Sequence, residues 1–188
     1  MNKRILNVGC ENETYGTDFV DLYPSRKEVL KVDVQSEKLP YKNNTFDEVY
    51  NKCFLEHLKN PGIFIEDCVR VLKKGGRLIL ITDNAGHYRF HIKFFKRAEK
   101  THYGNYEKRG RLLGGTGEGT EDKHYLLFTT WHLKNFFENY GLKVEKIEYV
   151  NNNYKGIKKY INNFIDFFVG LIDKRLICPN IKIIGIKT

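Results

Sequence analysis

Three short segments near the amino terminus have the residue types and spacing of a nucleotide-binding site. One apolar stretch ends in Gly9 and Cys10, and the next two apolar stretches end near Asp21 and Asp33. A glycine-containing loop lets the backbone approach a ligand, and a carboxylate can accept hydrogen bonds from both hydroxyl groups of a ribose. The sequence therefore predicts that Asp21 binds a ribose and that Asp33 accepts a hydrogen bond from an adenine amino group.

The elements that must position these residues are short apolar strands separated by turns. The pattern predicts helices at 61–73, 131–140 and 157–177 and strands at 4–9, 18–22, 29–33, 46–51, 77–82, 142–150 and 181–186. Strand, helix and strand in this order predict an α/β fold with a mostly parallel sheet. Ligands of such sheets bind at the carboxyl ends of the strands, where the predicted nucleotide residues all fall.

Composition limits the class of protein. With 188 residues, of which 41% are hydrophobic and 29% charged, the sequence predicts a single globular domain over residues 1–188. It has no run of 18 apolar residues and no apolar amino-terminal segment with a cleavage site, so we expect a cytoplasmic protein without a transmembrane helix. The four cysteines have neither CxxC nor zinc spacing, and we expect reduced thiols and no metal.

The positive charge lies in one part of the chain. Residues 1–84 hold 13 Lys+Arg and 13 Asp+Glu, whereas residues 85–188 hold 19 and 10 and so carry the whole net charge of +9. Basic and aromatic residues alternate between positions 87 and 111, within a predicted basic lid insertion at 85–125. This segment is either a solvated basic helix or a lid that attracts an anionic acceptor. The predicted acceptor-side residues are Arg89, Lys93, Lys96, Arg97 and His124.

Five motifs together resemble those of the small class I S-adenosylmethionine-dependent methyltransferases. They are LNVGC (6–10), VDLYP (20–24), LPYKNNTFDEVY (39–50), FLEHL (54–58) and VLKKGGRLIL (71–80). Their order and spacing match the family over residues 4–83, and a weaker similarity continues from His124 to Gly141. The resemblance implies a Rossmann-like, mostly parallel sheet with an antiparallel last strand, and S-adenosyl-L-methionine as the cofactor.

The resemblance also implies roles for particular residues. Gly9 and Cys10 would line the methionine end of the cofactor, and Asn51 and Lys52 would reach toward the same moiety. Asp21 would bind the ribose. The remaining predicted cofactor residues lie in the same loops and are Glu11, Leu22, Asp33 and Val34. Of these, Asp33 and Val34 would flank the adenine. His57 is the candidate acid–base residue, although it could equally pack in the core.

The sequence departs from the family in two places. Glu11 stands where the family usually has a second glycine, which is unfavourable if that position needs a positive φ and which puts cofactor affinity in question. Only seven residues, 11–17, and then about six residues join the first three strands, fewer than the dozen of an ordinary parallel crossover. We therefore expect the first two helices to be missing, and the helix at 157–177 or a second subunit to cover the sheet face left open.

These features predict methyl transfer to an O or N atom of a small or lipid-like anionic acceptor. An RNA methyltransferase or RNA-binding relative is the alternative, and Glu11 leaves room for a binding protein that has lost catalysis. Base methylation is disfavoured, because the segment after the fourth strand, YNKCFLEH, lacks both a Pro-Pro-aromatic clamp and a proline before Cys53. A homodimer and contact with a membrane surface stay open as partners.

Overall fold

Within the described residues, seven strands form one sheet. The computed structural model describes residues 3–88, 125–151 and 157–188, with side chains from Phe164 onward in the last range. The strands are β1 Ile5–Val8, β2 Asp18–Asp21, β3 Val29–Lys31, β4 Phe46–Lys52, β5 Leu72–Asp83, β6 Leu142–Val150 and β7 Asn180–Lys187. Their spatial order is β3-β2-β1-β4-β5-β7-β6, and only β7 runs antiparallel to its neighbours. The predicted mostly parallel α/β sheet with an antiparallel last strand is confirmed.

Helices α1 Pro61–Val71 and α2 Thr130–Asn139 pack on one face of this sheet. Proline at the first position suits the start of α1, because that position needs no backbone donor. Thr129 caps α2, since its hydroxyl accepts a hydrogen bond from the backbone of His132 at 3.3 Å. The fully buried core joins the strands to both helices and includes Leu6, Val8, Val49, Phe64, Ile65, Leu78, Leu80, Leu133, Phe137, Ile181 and Ile183.

The first half of the sheet lacks its usual helices. The described chain passes from β1 to β2 and from β2 to β3 through turns alone, as the short connections predict. Part of the missing cover comes from Tyr15 in the first connection. Its hydroxyl donates to Glu48 of β4 at 2.5 Å, and its ring contacts Tyr50 at 4.8 Å between centroids. The loop therefore covers the face next to β1 and β4 with one aromatic residue.

Farther along the same face, an apolar row stays half-exposed. Tyr50, Ile79 and Ile184 are register partners on β4, β5 and β7, and Ile81 and Ile186 flank them. The prediction that the carboxyl-terminal helix covers this face is wrong, because its apolar side chains point to solvent instead, and Phe164 for example is 67% exposed. That a second subunit covers this face is the other possibility offered by the sequence analysis, and it stays a prediction.

Two helix boundaries also differ from prediction. The helix predicted at 157–177 is α3 Ile157–Ile172, and it stops where Asp173 caps a separate 3-10 turn at Lys174–Ile177 by accepting from the Arg175 backbone at 2.8 Å. The helix predicted at 61–73 ends at Val71, because Leu72 already pairs with Phe46 in the sheet. Gly75 and Gly76 therefore lie inside β5 and do not end α1.

The predicted basic lid at 85–125 lies outside the described residues except at its two ends. The acceptor-side candidates Arg89, Lys93, Lys96, Arg97 and His124 fall in that part of the chain. In the part that the structure describes, none of the helices has both the length and the apolarity needed to span a bilayer.

Candidate functional site

The Asp21 carboxylate is fixed between two loops at the carboxyl end of β2. Its Oδ2 accepts a hydrogen bond from the Glu11 backbone at 2.9 Å, and its Oδ1 accepts from the Tyr23 backbone at 2.9 Å. The Gly9 backbone donates to Val20 at 2.8 Å, which holds the end of β1 beside β2. Each carboxylate oxygen keeps lone pairs beyond these two bonds, so Asp21 can accept further hydrogen bonds from ligand hydroxyl groups.

Asp33 lies on the next loop and is held beside Asp21 by the backbone. The Val32 amide donates to the Asp21 carbonyl at 3.1 Å. The Asp33 side chain accepts from the Gln35 amide at 3.0 Å and from the Ser36 hydroxyl at 2.9 Å, so it stabilises its own turn. Val34, which follows it, is buried. The two predicted ribose and adenine residues thus lie on adjacent loops, while their roles stay predictions.

Asn51 brings an orphaned acceptor to the same edge of the sheet. Its side chain is fully buried, and its amide nitrogen donates to the Val8 carbonyl at the end of β1 at 2.8 Å. Its Oδ1 atom is buried without a hydrogen-bond partner in the structure. A buried acceptor left without a donor is unfavourable by about 1–3 kcal/mol, so this atom is suited to receive a donor from a bound ligand.

Glu11 has a left-handed backbone conformation, which the second glycine usual in the resembled family would adopt without strain. Its φ is +43°, in the left-handed region that side-chain-bearing residues rarely adopt. The Ser25 hydroxyl donates to the Glu11 carbonyl at 2.6 Å and the Glu11 amide donates to Asp21, so hydrogen bonds hold the strained residue in place. The unfavourable conformation predicted for this position is therefore present.

Replacing Glu11 by glycine should stabilise the fold. Relief of the left-handed strain is about 1–2 kcal/mol, and the greater flexibility of glycine in the unfolded chain offsets about 0.5–1 kcal/mol of it. We expect a net gain of about 0.5–1 kcal/mol, or a melting temperature about 1–4 °C higher by calorimetry. Glu37→Gly is the control, because Glu37 is exposed and has no positive φ. Equal losses of stability in the two variants would contradict this account.

Lys52, the second residue predicted near the methionine end, is partly exposed and forms an ion pair with Glu13 of the first loop. The Glu13 carboxylate raises the pKa of Lys52, so the ammonium stays charged at neutral pH. At Cys10 the surrounding protein and the nearby Asp21 carboxylate raise the pKa to about 11. Cys10 is therefore a neutral thiol at neutral pH.

Cys53 follows β4 and also has a positive φ, +50°. The residue is exposed, yet the protein packed around its thiol, together with the carboxylates of Glu56 and Asp83, raises its pKa to about 12. Because only a thiolate is an effective nucleophile, this cysteine is poorly suited to nucleophilic catalysis at neutral pH. The sequence argument against a Cys53 nucleophile and the electrostatics therefore agree.

A buried carboxylate that the sequence analysis did not select lies beyond the end of β4. Glu56 is 1% exposed, and its Oε2 accepts a hydrogen bond from the hydroxyl of Thr82 on β5 at 2.7 Å. Its backbone carbonyl accepts from the Tyr125 amide at 2.8 Å, which ties the chain after the basic segment to this turn. Glu56 thus joins β4, β5 and the segment leading into α2.

His57, the predicted acid–base candidate, is half-buried at the end of the 3-10 turn Leu55–His57. In this turn the neighbouring Glu56 is buried, whereas His57 is only half-buried. A catalytic role for His57 stays a prediction.

A second imidazole, His87, is buried at 4% exposure just after β5, where its amide donates to the Asn84 carbonyl at 2.9 Å.

Asn84 links this region to the carboxyl-terminal part of the chain. Its side-chain nitrogen donates to the carbonyls of Arg175 and Cys178 at 3.0 and 2.8 Å. No group of three or more His, Cys, Asp or Glu residues suited to a metal ion occurs among the described residues. The edge formed by the ends of β1, β2, β4 and β5 is thus polar, with Asp21 and Asn51 on one side and Glu56 on the other.

Residues 8–80 match the family model described as a methyltransferase domain. Solved structures of two S-adenosylmethionine-dependent methyltransferases share the fold at a TM-score of 0.61. One, from Archaeoglobus fulgidus, is 16% identical, and the match covers 98% of this chain and 86% of that one. The other, from Mesorhizobium loti, is 15% identical, with 99% and 91% covered. A comparison with curated proteins finds no match.

A third neighbour is the Haloferax volcanii complex between the Trm112 methyltransferase activator and a methyltransferase described as putative in that structure. It is 11% identical with a TM-score of 0.56, and the match covers 98% of this chain and 81% of that one.

The segment that matches the family model, residues 8–80, contains Gly9, Asp21, Asp33 and Asn51. The shared fold therefore extends over the whole edge where these residues lie.

Proposed function

We propose that this chain is a class I S-adenosylmethionine-dependent methyltransferase and that it methylates an oxygen or nitrogen atom of a small or lipid-like anionic acceptor. The observation that carries the proposal is the pairing of a neutral cofactor-binding half, residues 1–84, with a carboxyl-terminal part that bears the entire net charge of +9. Opposite charge on the acceptor would raise its concentration on that side of the molecule.

The residues at the sheet edge fit the cofactor. Asp21 would accept the ribose hydroxyl groups, since its carboxylate is already oriented by two backbone amides. The orphaned Oδ1 of Asn51 would accept from the methionine ammonium, which is rich in donors. Asp33 and Val34 would contact the adenine from the adjacent loop. The donors and acceptors present thus match the groups that the cofactor offers.

When bound, S-adenosylmethionine supplies a methyl group already activated by the positive sulfonium. The chain's own residues then have to orient the acceptor and exclude water, because alignment contributes most of the acceleration in such a displacement. Gly9 and Cys10 would border the methionine end with backbone and a neutral thiol. Glu56 would keep the turn after β4 in place through Thr82, so that His57 stays at the acceptor side.

The acceptor chemistry is inferred from what the site lacks as well as from its charge. The raised pKa of Cys53 argues against a covalent route to cytosine C5, and the absence of a proline clamp argues against exocyclic base nitrogens. An oxygen or nitrogen nucleophile on a compact anion or a lipid headgroup remains consistent with these features. RNA is the alternative acceptor, because phosphates would bind the same basic segment.

Reversing three basic residues of the lid tests the proposal. In the variant K93E/K96E/R97E the attraction for an anionic acceptor is lost, so we expect at least a tenfold loss of methyl transfer to acidic acceptors in a cell extract. Cofactor affinity by calorimetry should be unchanged. The control K134E/K143E changes two exposed lysines on α2 and β6.

The identity of the radiolabelled product separates the acceptors. Transfer into ribonuclease-sensitive material, with a steep salt dependence, would favour RNA over the proposed class. Equal activity of the lid variant and the wild-type protein would contradict an anionic acceptor held by this segment. Loss of cofactor binding together with activity would show a structural role for the three residues.

A further inference from the structure

The most apolar stripe of helix α3 faces solvent. Five residues at helical spacing are between 52% and 81% exposed: Phe164, Phe167, Phe168, Leu171 and Ile172. The stripe is continuous, because the ring of Phe168 contacts those of Phe164 and Phe167 at centroid distances of 5.0 and 5.4 Å. Spacings of three and four residues place all five on one side of the helix.

The opposite side of α3 holds the helix to the protein with polar and small residues. Asp166 is buried at 8% exposure, and its Oδ1 accepts a hydrogen bond from the buried hydroxyl of Tyr88 at 2.8 Å. At Gly170 an added Cβ would lie 3.4 Å from Ile177 of the following turn, so this is the packed side. An ordinary surface helix buries its apolar stripe and exposes its charges, and α3 has the reverse arrangement.

Both ends of the stripe are cationic in sequence. Lys158 and Lys159 occupy the first turn of α3, and Lys174 and Arg175 follow its last turn and are exposed. Asp173 pairs with Arg175, which leaves the carboxyl-terminal end net positive. From Phe164 to Ile172 the one charged residue is Asp166, which is on the packed side. The exposed stripe is therefore apolar and is followed by a net positive charge at Lys174 and Arg175, with two further lysines before it in sequence.

This charge pattern disfavours a second copy of the chain as the occupant. Two such helices would bring positive ends together whether they paired parallel or antiparallel, and like charges across an interface are unfavourable. An anionic bilayer offers acyl chains to the stripe and phosphates to the basic residues beside it, which are attracted to such a surface. The 16 residues of α3 extend about 24 Å, shorter than a spanning helix but sufficient to lie in the interface.

We propose that α3 docks this protein on the surface of an anionic phospholipid bilayer. The stripe inserts at the boundary between headgroups and acyl chains, and Lys174 and Arg175 contact the headgroup phosphates. Asp166 and Tyr88 stay on the protein side and keep α3 attached to the body. None of the residues of the stripe is assigned to the cofactor, and docking does not depend on the acceptor that is methylated.

Vesicle binding by the full chain tests the proposal. The probes are vesicles of phosphatidylcholine alone and vesicles in which about one lipid in three is phosphatidylglycerol. We expect the wild-type protein to co-sediment with the anionic vesicles and to do so far less with the neutral ones. The variant F164S/F168S/L171S should bind the anionic vesicles at least about 30-fold more weakly, because three exposed apolar side chains no longer enter the interface.

Three outcomes would overturn the proposal: no binding of wild type to anionic vesicles, equal binding of the triple variant, or self-association of the wild type in light scattering that the triple variant abolishes. The control I63S/W131S changes two exposed apolar residues on α1 and α2 and should bind like the wild type. Because all five substituted residues are exposed, melting temperatures should stay close to the wild-type value. Cofactor affinity, measured on the same samples, separates failure of docking from failure of the methyltransferase assignment.

Discussion

Asp21→Ala should weaken the binding of S-adenosylmethionine and of S-adenosylhomocysteine by about 10- to 150-fold. The carboxylate would lose charge-assisted hydrogen bonds to the ribose, which contribute about 1.5–3 kcal/mol together. The structure strengthens the reason, because Asp21 is not a free surface acid. The amides of Glu11 and Tyr23 orient it at 2.9 Å each, so a ligand meets a preorganised acceptor. Isothermal calorimetry with both ligands measures the effect.

Asp18→Ala is the matched control, since Asp18 lies at the other end of the same strand. Its carboxylate pairs with Arg4 at 2.7 Å and accepts from the Thr17 hydroxyl at 2.8 Å, away from the cofactor edge. We expect it to lower stability by up to about 1 kcal/mol and to leave cofactor affinity unchanged. If Asp21→Ala binds both ligands as tightly as wild type, the ribose lies elsewhere. If wild type binds neither ligand, the cofactor assignment itself fails.

The sheet was predictable because its strands are buried and its connections are short. Runs such as RLILIT at 77–82 are apolar enough to mark central strands, and the nine residues between β1 and β2, 9–17, are too few for an ordinary parallel crossover. The end of α1 was harder to predict. Glycines such as Gly75 and Gly76 often follow the end of a helix. Here Leu72 already pairs with Phe46, so the chain enters β5 before it reaches the glycines. Tertiary pairing overrides the local signal there.

The candidate site was predictable on its cofactor side and less so on its acceptor side. Asp21 and Asn51 follow strands directly, so their position at the sheet edge comes from strand order alone. The burial of Glu56 could not be predicted, because it depends on Thr82, a residue of β5 that is 26 positions away in sequence. The orphaned oxygen of Asn51 is likewise a property of packing against Val8, which no local pattern records.

The direction of the carboxyl-terminal helix was the expectation that failed. Its apolar stripe predicts that this helix is packed against the protein. Because parallel sheets are rarely open on one face, the helix is predicted to cover the open face of the sheet. Asp166 decides the matter, since its hydrogen bond to Tyr88 fixes the polar side of the helix toward the protein. The sheet face next to β1 is covered by Tyr15 instead, and the row around Ile79 stays half-exposed. Two apolar surfaces therefore remain for partners outside the described chain.

Gly9→Ala should be the most destabilising single substitution at the cofactor edge. Gly9 has φ +66°, which disfavours any side chain by about 1–2 kcal/mol. A Cβ there would also overlap Cδ2 and Cγ of the Phe54 ring, and relieving such overpacking costs about 1–3 kcal/mol more. The flexibility that alanine removes from the unfolded chain offsets about 0.5–1 kcal/mol, so the net loss is about 1.5–4 kcal/mol in the free energy of unfolding, measured by chemical denaturation of the cofactor-free protein.

Gly75→Ala separates these two causes. Gly75 has a similar φ of +75°, but a Cβ there meets nothing within 4 Å. The control should therefore lose only the net backbone share, about 0.5–1 kcal/mol. Phe54 packs edge-on against Phe64 at 5.5 Å, so removing its ring alone is also unfavourable. The double variant G9A/F54A should lose less stability than the sum of the losses of the two single variants, because the overlap with the ring is gone. Strict additivity, or equal losses at Gly9 and Gly75, would mean that Phe54 yields freely and that the close approach of its ring does not fix the first loop.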